Sequence, residues 1–168
     1  RDRTAEYEAA TFPEATLTAL WLLGRVPPSA LERALPGVAV FRPGRAGRGP
    51  GPDVREATLL LRSGATLSGD VEVHLRASDF VRHGHREDPA YARVILHLCW
   101  EDDRTPDERG GPTRLPPATG TAAAGLAPTV TLAEVMPDPR QVEVLVARGP
   151  SGAEPCTAAA MAWGQAEV

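Results

Sequence analysis

The sequence contains no lysine and no asparagine, so all 18 basic side chains are arginines. Chemistry that needs a lysine amine is thereby excluded, whether a Schiff base, a phosphate-loop cation or an ammonium general base. Only two cysteines occur, Cys99 and Cys156. Two do not make a disulfide framework, and a reducing cytoplasm is the expected compartment. No apolar run approaches the roughly 18 residues of a membrane helix, so no membrane partner is expected. The first residues do not read as a charged-then-apolar leader, and no internal repeat is visible.

The residues present total 168, with a formal net charge of −4. That length suits one domain, which buries roughly two-thirds of the surface of its unfolded chain. A negative balance argues against a generic nucleic-acid coating role, while a local arginine stripe can still hold a phosphate backbone. Arg42, Arg45 and Arg48 form such a stripe, read either as a solvated loop or as an anion-binding edge. The 16 glycines and 17 prolines are aperiodic, which points to long loops and excludes collagen.

Leu17, Leu20, Trp21 and Leu23 share a helical face behind Pro13, and Pro27-Pro28 ends that helix. Ser29 is placed to cap a short second helix that ends near Pro36. Val38 to Arg42 reads as a strand. Glu56 to Arg62 and Leu67 to Leu75 read as a hairpin turned at Ser63-Gly64. A short helix is expected near Asp88-Pro89, followed by a buried strand from Arg93 to Trp100. Domain boundaries are set at 1–103 for an α/β core, 104–128 for a loop or linker without periodicity, and 129–168 for C-terminal strands or tail. Thr129 to Met136 and Gln141 to Ala147 are each read as one more strand. Trp21 and Trp100 read as core rather than as base-stacking platforms.

All four histidines, His74, His83, His85 and His97, fall in one short segment of the chain. Asp53, Asp70, Glu72, Asp79 and Asp88 surround them. Imidazole nitrogens and carboxylate oxygens converging from several elements are what a divalent metal requires. The side-chain period of a strand puts Asp70, Glu72 and His74 on one face, opposite Val71, Val73 and Leu75. The competing reading is a solvated polar face. Asp53 opens the preceding strand and is expected beside Glu72, where two carboxylates repel unless a cation lies between them. The pair is expected within roughly 5 Å, close enough to share one ion. The same carboxylates are expected to raise the pKa of His74. His97, inside an apolar strand, reads as a satisfied core histidine, and Cys99 as a small core hydrophobe.

The run from Gly51 to Asp102, GPD followed by GDVEVHLRASDFVRHGHREDPAYARVILHLCWED, resembles a bacterial family, domain of unknown function 2851. The matching positions are Asp53, Asp70, Glu72, His74, Ser78-Asp79-Phe80, His83, His85, Asp88, Tyr91 and His97, and the helix with Glu14 and Leu20-Trp21 resembles that family's leading helix. A second, fold-level resemblance is to the restriction-endonuclease-like nucleases of PD-(D/E)XK type. It implies an α/β fold with a mixed sheet, a leading helix, a β-meander, a crossover helix and a further strand. It also implies Asp53 and Glu72 as metal ligands, with Glu14 as an added acidic group. The position that holds lysine in those nucleases holds His74 here.

The sequence therefore predicts a divalent-metal-dependent phosphodiester hydrolase with nucleic acid as partner. Asp53 and Glu72 are expected to hold Mg²⁺ or Mn²⁺, with Zn²⁺ the alternative, and His74 to act on the attacking water. Glu14, Asp70, His83, His85 and Asp88 line the pocket or hold a second metal. The alternative is a non-catalytic metal-binding or interaction module on a degenerate nuclease fold.

Overall fold

A computed structural model of the protein describes residues 10–109 and 127–148. Helix α1 (Glu14–Leu22) buries Leu17, Leu20 and Trp21, and Glu14 in its first turn complements the positive end of the helix. The indole Nε1 of Trp21 donates to the carbonyl of Pro43 at 2.7 Å, so the large buried ring leaves no orphaned donor. Helix α2 (Pro28–Ala34) starts with Pro28 at its first position, where a missing N–H costs nothing. Ser29 lies inside this helix rather than capping it.

Among the described residues, six strands form one sheet: β1 (Val38–Arg42), β2 (Arg45–Ala46), β3 (Val54–Leu61), β4 (Thr66–Arg76), β5 (Val94–Glu101) and β6 (Thr129–Thr131). The order is β1-β3-β4-β5-β6, with β2 also paired to β3. The β1–β3 and β3–β4 pairs are antiparallel, and β4–β5 and β5–β6 are parallel. The protein is thus mixed α/β; β1, β3, β4 and β5 fall where the alternation and the Ser63-Gly64 turn put them, whereas β6 ends at Thr131 instead of continuing to Met136. Gly69 lets β5 approach closely, because a Cβ there would strike the Ile95 side chain and the Arg93 carbonyl.

The main core lies between the sheet and the helices. It joins Leu17, Leu20 and Trp21 of α1 to Val71 and Val73 of β4 and to Leu96, Leu98 and Trp100 of β5. Phe80, Tyr91 and Val94 form a smaller cluster. Trp21 and Trp100 are both core residues, and Cys99 is a buried free thiol.

Two expectations need correction. The segment read as a strand at Gln141 to Ala147 is helix α5 (Arg140–Ala147). Val142, Val144 and Val146 alternate as in a strand, but the residues that meet the core are Val142, Leu145 and Val146, at helical spacing. The Asp138 carboxylate holds the Arg140 N–H at 2.9 Å at its start, and Arg25 donates to the Leu145 carbonyl near its end. The connection from β4 to β5 carries only the four-residue helix α3 (Asp79–Arg82) and a 3-10 turn at Pro89–Tyr91 in place of a full crossover helix. Of the loop expected at 104–128, the described part includes one short helix, α4 (Pro106–Arg109), and 110–126 lie outside the described residues. The tail from 149 onward also lies outside them. Among the described residues, no helix is long and apolar enough to cross a membrane.

Candidate metal centre

The polar face of β4 is not solvated. Asp70, Glu72 and His74 are 2%, 4% and 2% exposed, which removes the reading of a surface dressed with charge. Burying three such groups in one strand is costly unless each is satisfied, so their partners define what the face does.

Strand β3 pairs with β4 only as far as Val54 opposite Val71, so the later residues of β4 lack a strand neighbour on that side. Carboxylates fill the gap. Asp53 Oδ2 accepts from the Val73 N–H at 3.1 Å, and Glu14 Oε1 from the Leu75 N–H at 3.2 Å. The Asp53 N–H in turn donates to Glu72 Oε2 at 3.3 Å. Asp53 therefore sits one residue ahead of β3 rather than within it. Helix α1 supplies Glu14 to the same edge, two residues along β4 from the Asp53 contact.

The carboxylate charges conflict. Burial, and then the Asp53 carboxylate, push Glu72 up to about 8. Asp53 is raised as well, mainly by burial and further by Glu14, against the pull of the Val73 N–H. Oxygen donors grouped in this way suit a hard divalent cation, which removes the repulsion that drives Glu72 toward its neutral form.

Imidazoles adjoin the carboxylates through Glu72. Its Oε1 lies 3.3 Å from His85 Nε2 and 3.6 Å from His74 Nε2. His74, His83 and His85 each place one ligand nitrogen within 4.8 Å of the other two. Tyr91 stacks on His85 with ring centroids 3.9 Å apart, and Phe80 packs edge-on against His74 and His85. The other side of His74 is fixed as well, with Nδ1 3.0 Å from His97 Nε2.

The expected rise in the His74 pKa is overturned. Burial, then the His85 and His83 charges, push it down to about 3, because desolvation outweighs the attraction of carboxylates that are themselves driven neutral. His85 is lowered chiefly by burial, and His97 far more so. At neutral pH the contact of Glu72 with His74 is consequently not an ion pair. The rings are uncharged, the form in which imidazole binds a metal.

Not every residue expected in the pocket contributes to it. Asp70 faces a bulge in β3, accepting from the Glu56 N–H at 3.1 Å and lying 3.5 Å from Arg55 Nη1. Glu56 there has φ 61°, a left-handed conformation that the Asp70 contact helps to hold. Arg45 of the sequence stripe pairs with the exposed Glu56 at 2.9 Å. Asp88 caps the 3-10 turn through the Ala90 N–H at 2.8 Å and is exposed. His97 is the residue that sequence reasoning undervalued. It is a satisfied core histidine, but its partner is a site residue, and the signals that could have found it were its place among the clustered histidines and in the matched motif.

The family model described as Protein of unknown function (DUF2851) matches residues 14–113, and the chain belongs to that family. The matched span runs from Glu14 to beyond His97 and so contains every residue of the site. Neither the curated proteins nor the solved structures give a match.

Proposed function

We propose that this DUF2851 protein is a divalent-metal-dependent phosphodiester hydrolase that acts on nucleic acid. The observation that carries the reading is the placement of Glu72, whose Oε2 accepts from the backbone N–H of Asp53 while its Oε1 lies beside His85 and His74. Glu14, Asp53 and Glu72 would hold Mg²⁺ or Mn²⁺. Such an ion supplies Lewis-acid polarisation of a phosphoryl oxygen and a lowered pKa for water. The order of elements supports the reading too: a leading helix, antiparallel β1, β3 and β4, and then parallel β5, in the order that the resemblance to restriction-endonuclease-like nucleases implies.

Hydrolysis forms one P–O bond from water and breaks one P–O ester bond. The carboxylates would hold the ion that draws the phosphate to the edge of β4, and the nitrogen-lined side of the pocket orients the water. His74, where those nucleases carry lysine, is neutral and therefore acts as an acceptor or a ligand and not as a cation.

Cleavage of plasmid DNA and of a single-stranded oligonucleotide with Mg²⁺ or Mn²⁺ tests the proposal. The parent is expected to cleave, and Asp53→Asn and Glu72→Gln to lose about 10²-fold or more. A parent inert with Mg²⁺, Mn²⁺ and Zn²⁺ replaces this reading with the metal-binding module.

A further inference from the structure

We infer that His74, His83 and His85 form a second metal site, distinct in chemistry from the carboxylate site, which takes an imidazole-preferring ion such as Zn²⁺ or Co²⁺. In this arrangement Glu72 is the carboxylate common to both sites. The inference deepens the hydrolase reading, since the nitrogen-lined side of the pocket then orients water through an ion, but the site itself rests on the three rings.

The local sequence builds the triad by two devices. His74 comes from β4, while His83 ends α3 and His85 follows two residues later. Between them Gly84 has φ 76°, in the left-handed region that glycine adopts without strain. That reversal turns His83 and His85 toward the same point, with centroids 5.2 Å and 5.3 Å from the His74 ring. The rings are also held in place: His85 lies against Tyr91, and His74 is bonded to His97. Glu72 Oε1 lies 3.3 Å from His85 Nε2, on the side of the triad that faces the carboxylates.

Donor chemistry separates the two sites. Three imidazole nitrogens suit Zn²⁺, Co²⁺ or Ni²⁺, whereas the oxygens of Glu14, Asp53 and Glu72 suit Mg²⁺ or Mn²⁺. Exposure rises from buried His74 through half-buried His85 to exposed His83, so the cup opens to solvent on one side. Three protein nitrogens with an open side is the pattern of an exchangeable or catalytic zinc site rather than a closed structural one.

Titration of the full chain with Co²⁺, followed by its visible d–d absorption, tests the inference without any activity readout. The wild type is expected to develop the band at one equivalent. Asp53→Asn is expected to keep it with an affinity within about threefold, because the triad is intact. His83→Ala and His85→Ala, at positions exposed enough to fold normally, are each expected to weaken binding by about tenfold or more. A wild type with no band overturns the inference. So do histidine variants that bind as well as the parent, or an Asp53→Asn that loses the band as completely as His85→Ala. The hydrolase reading fails separately, on DNA cleavage.

Discussion

His74 Nδ1 lies 3.0 Å from His97 Nε2, and both rings are almost completely buried. For His74 to present a lone pair at Nε2, its proton must sit on Nδ1 and be donated to His97. His97 Nε2 is then the acceptor, with its own proton on Nδ1. A ligand histidine with its second nitrogen anchored in this way is held in one tautomer and one orientation. Both rings are kept neutral by burial, so the pair acts as a fixed hydrogen bond and not as a shared positive charge.

His97 is therefore a positioning residue. His97→Phe fills the same space but removes the acceptor, leaving the buried His74 Nδ1–H unpaired at a cost of about 1–3 kcal/mol. Metal affinity is expected to fall by about 10- to 100-fold. His97→Gln, which restores an acceptor, is expected to recover part of the affinity. Equal losses in both variants, measured by calorimetric metal titration, would indicate a packing role alone.

Glu72 makes the metal-free protein sensitive to alkali. Its folded pKa is raised to about 8, from an ordinary value of 4.5, so the folded state binds the proton more tightly than the unfolded chain. Its contribution to stability is thus present in acid and is lost as pH rises from 4.5 toward 8. The histidines act in the opposite sense. His74 is lowered to about 3, so its contribution is lost as pH falls below 6.5, and above pH 7 it no longer changes. Between pH 7 and 8 the Glu72 effect is isolated, and about 1 kcal/mol of stability is expected to disappear. Urea unfolding of the metal-free wild type and of Glu72→Gln checks this. The variant is expected to show a much flatter profile and to exceed the wild type at pH 8. Added Mn²⁺ is expected to stabilise only the wild type.

Asp70 separates structure from function within the same strand. Asp70→Ala removes the acceptor for the Glu56 N–H and leaves Arg55 without its buried partner, an expected loss of about 2–4 kcal/mol. Metal affinity per folded molecule is expected to change by less than about threefold, since Asp70 contacts none of Glu14, Asp53 or His85. Denaturant midpoints and metal titrations on the same sample distinguish the two effects.

Much of this was legible in the residues. Alternation through Val71, Val73 and Leu75 gave the register of β4, and the Ser63-Gly64 turn gave the hairpin. The clustering of histidines with Asp53 and Glu72 pointed to one pocket. What period-two alternation cannot convey is whether the polar face meets water or protein, and burial of that face reverses the sign of the His74 shift. Nor does spacing along the chain show that β5 runs parallel to β4, which is what brings His97 beside His74. Helix α5 was misread because valines at alternate positions mimic a strand, while the contacts that decide it come from residues distant in sequence.

The most direct test is the anomalous difference map of a crystal soaked in Mn²⁺ and recorded near the manganese edge. A peak coordinated by Asp53 and Glu72 is expected, with Glu14 beside it and oxygen distances of about 2.0–2.6 Å. A well-ordered Asp53 and Glu72 with no peak between them at saturating Mn²⁺ would contradict it.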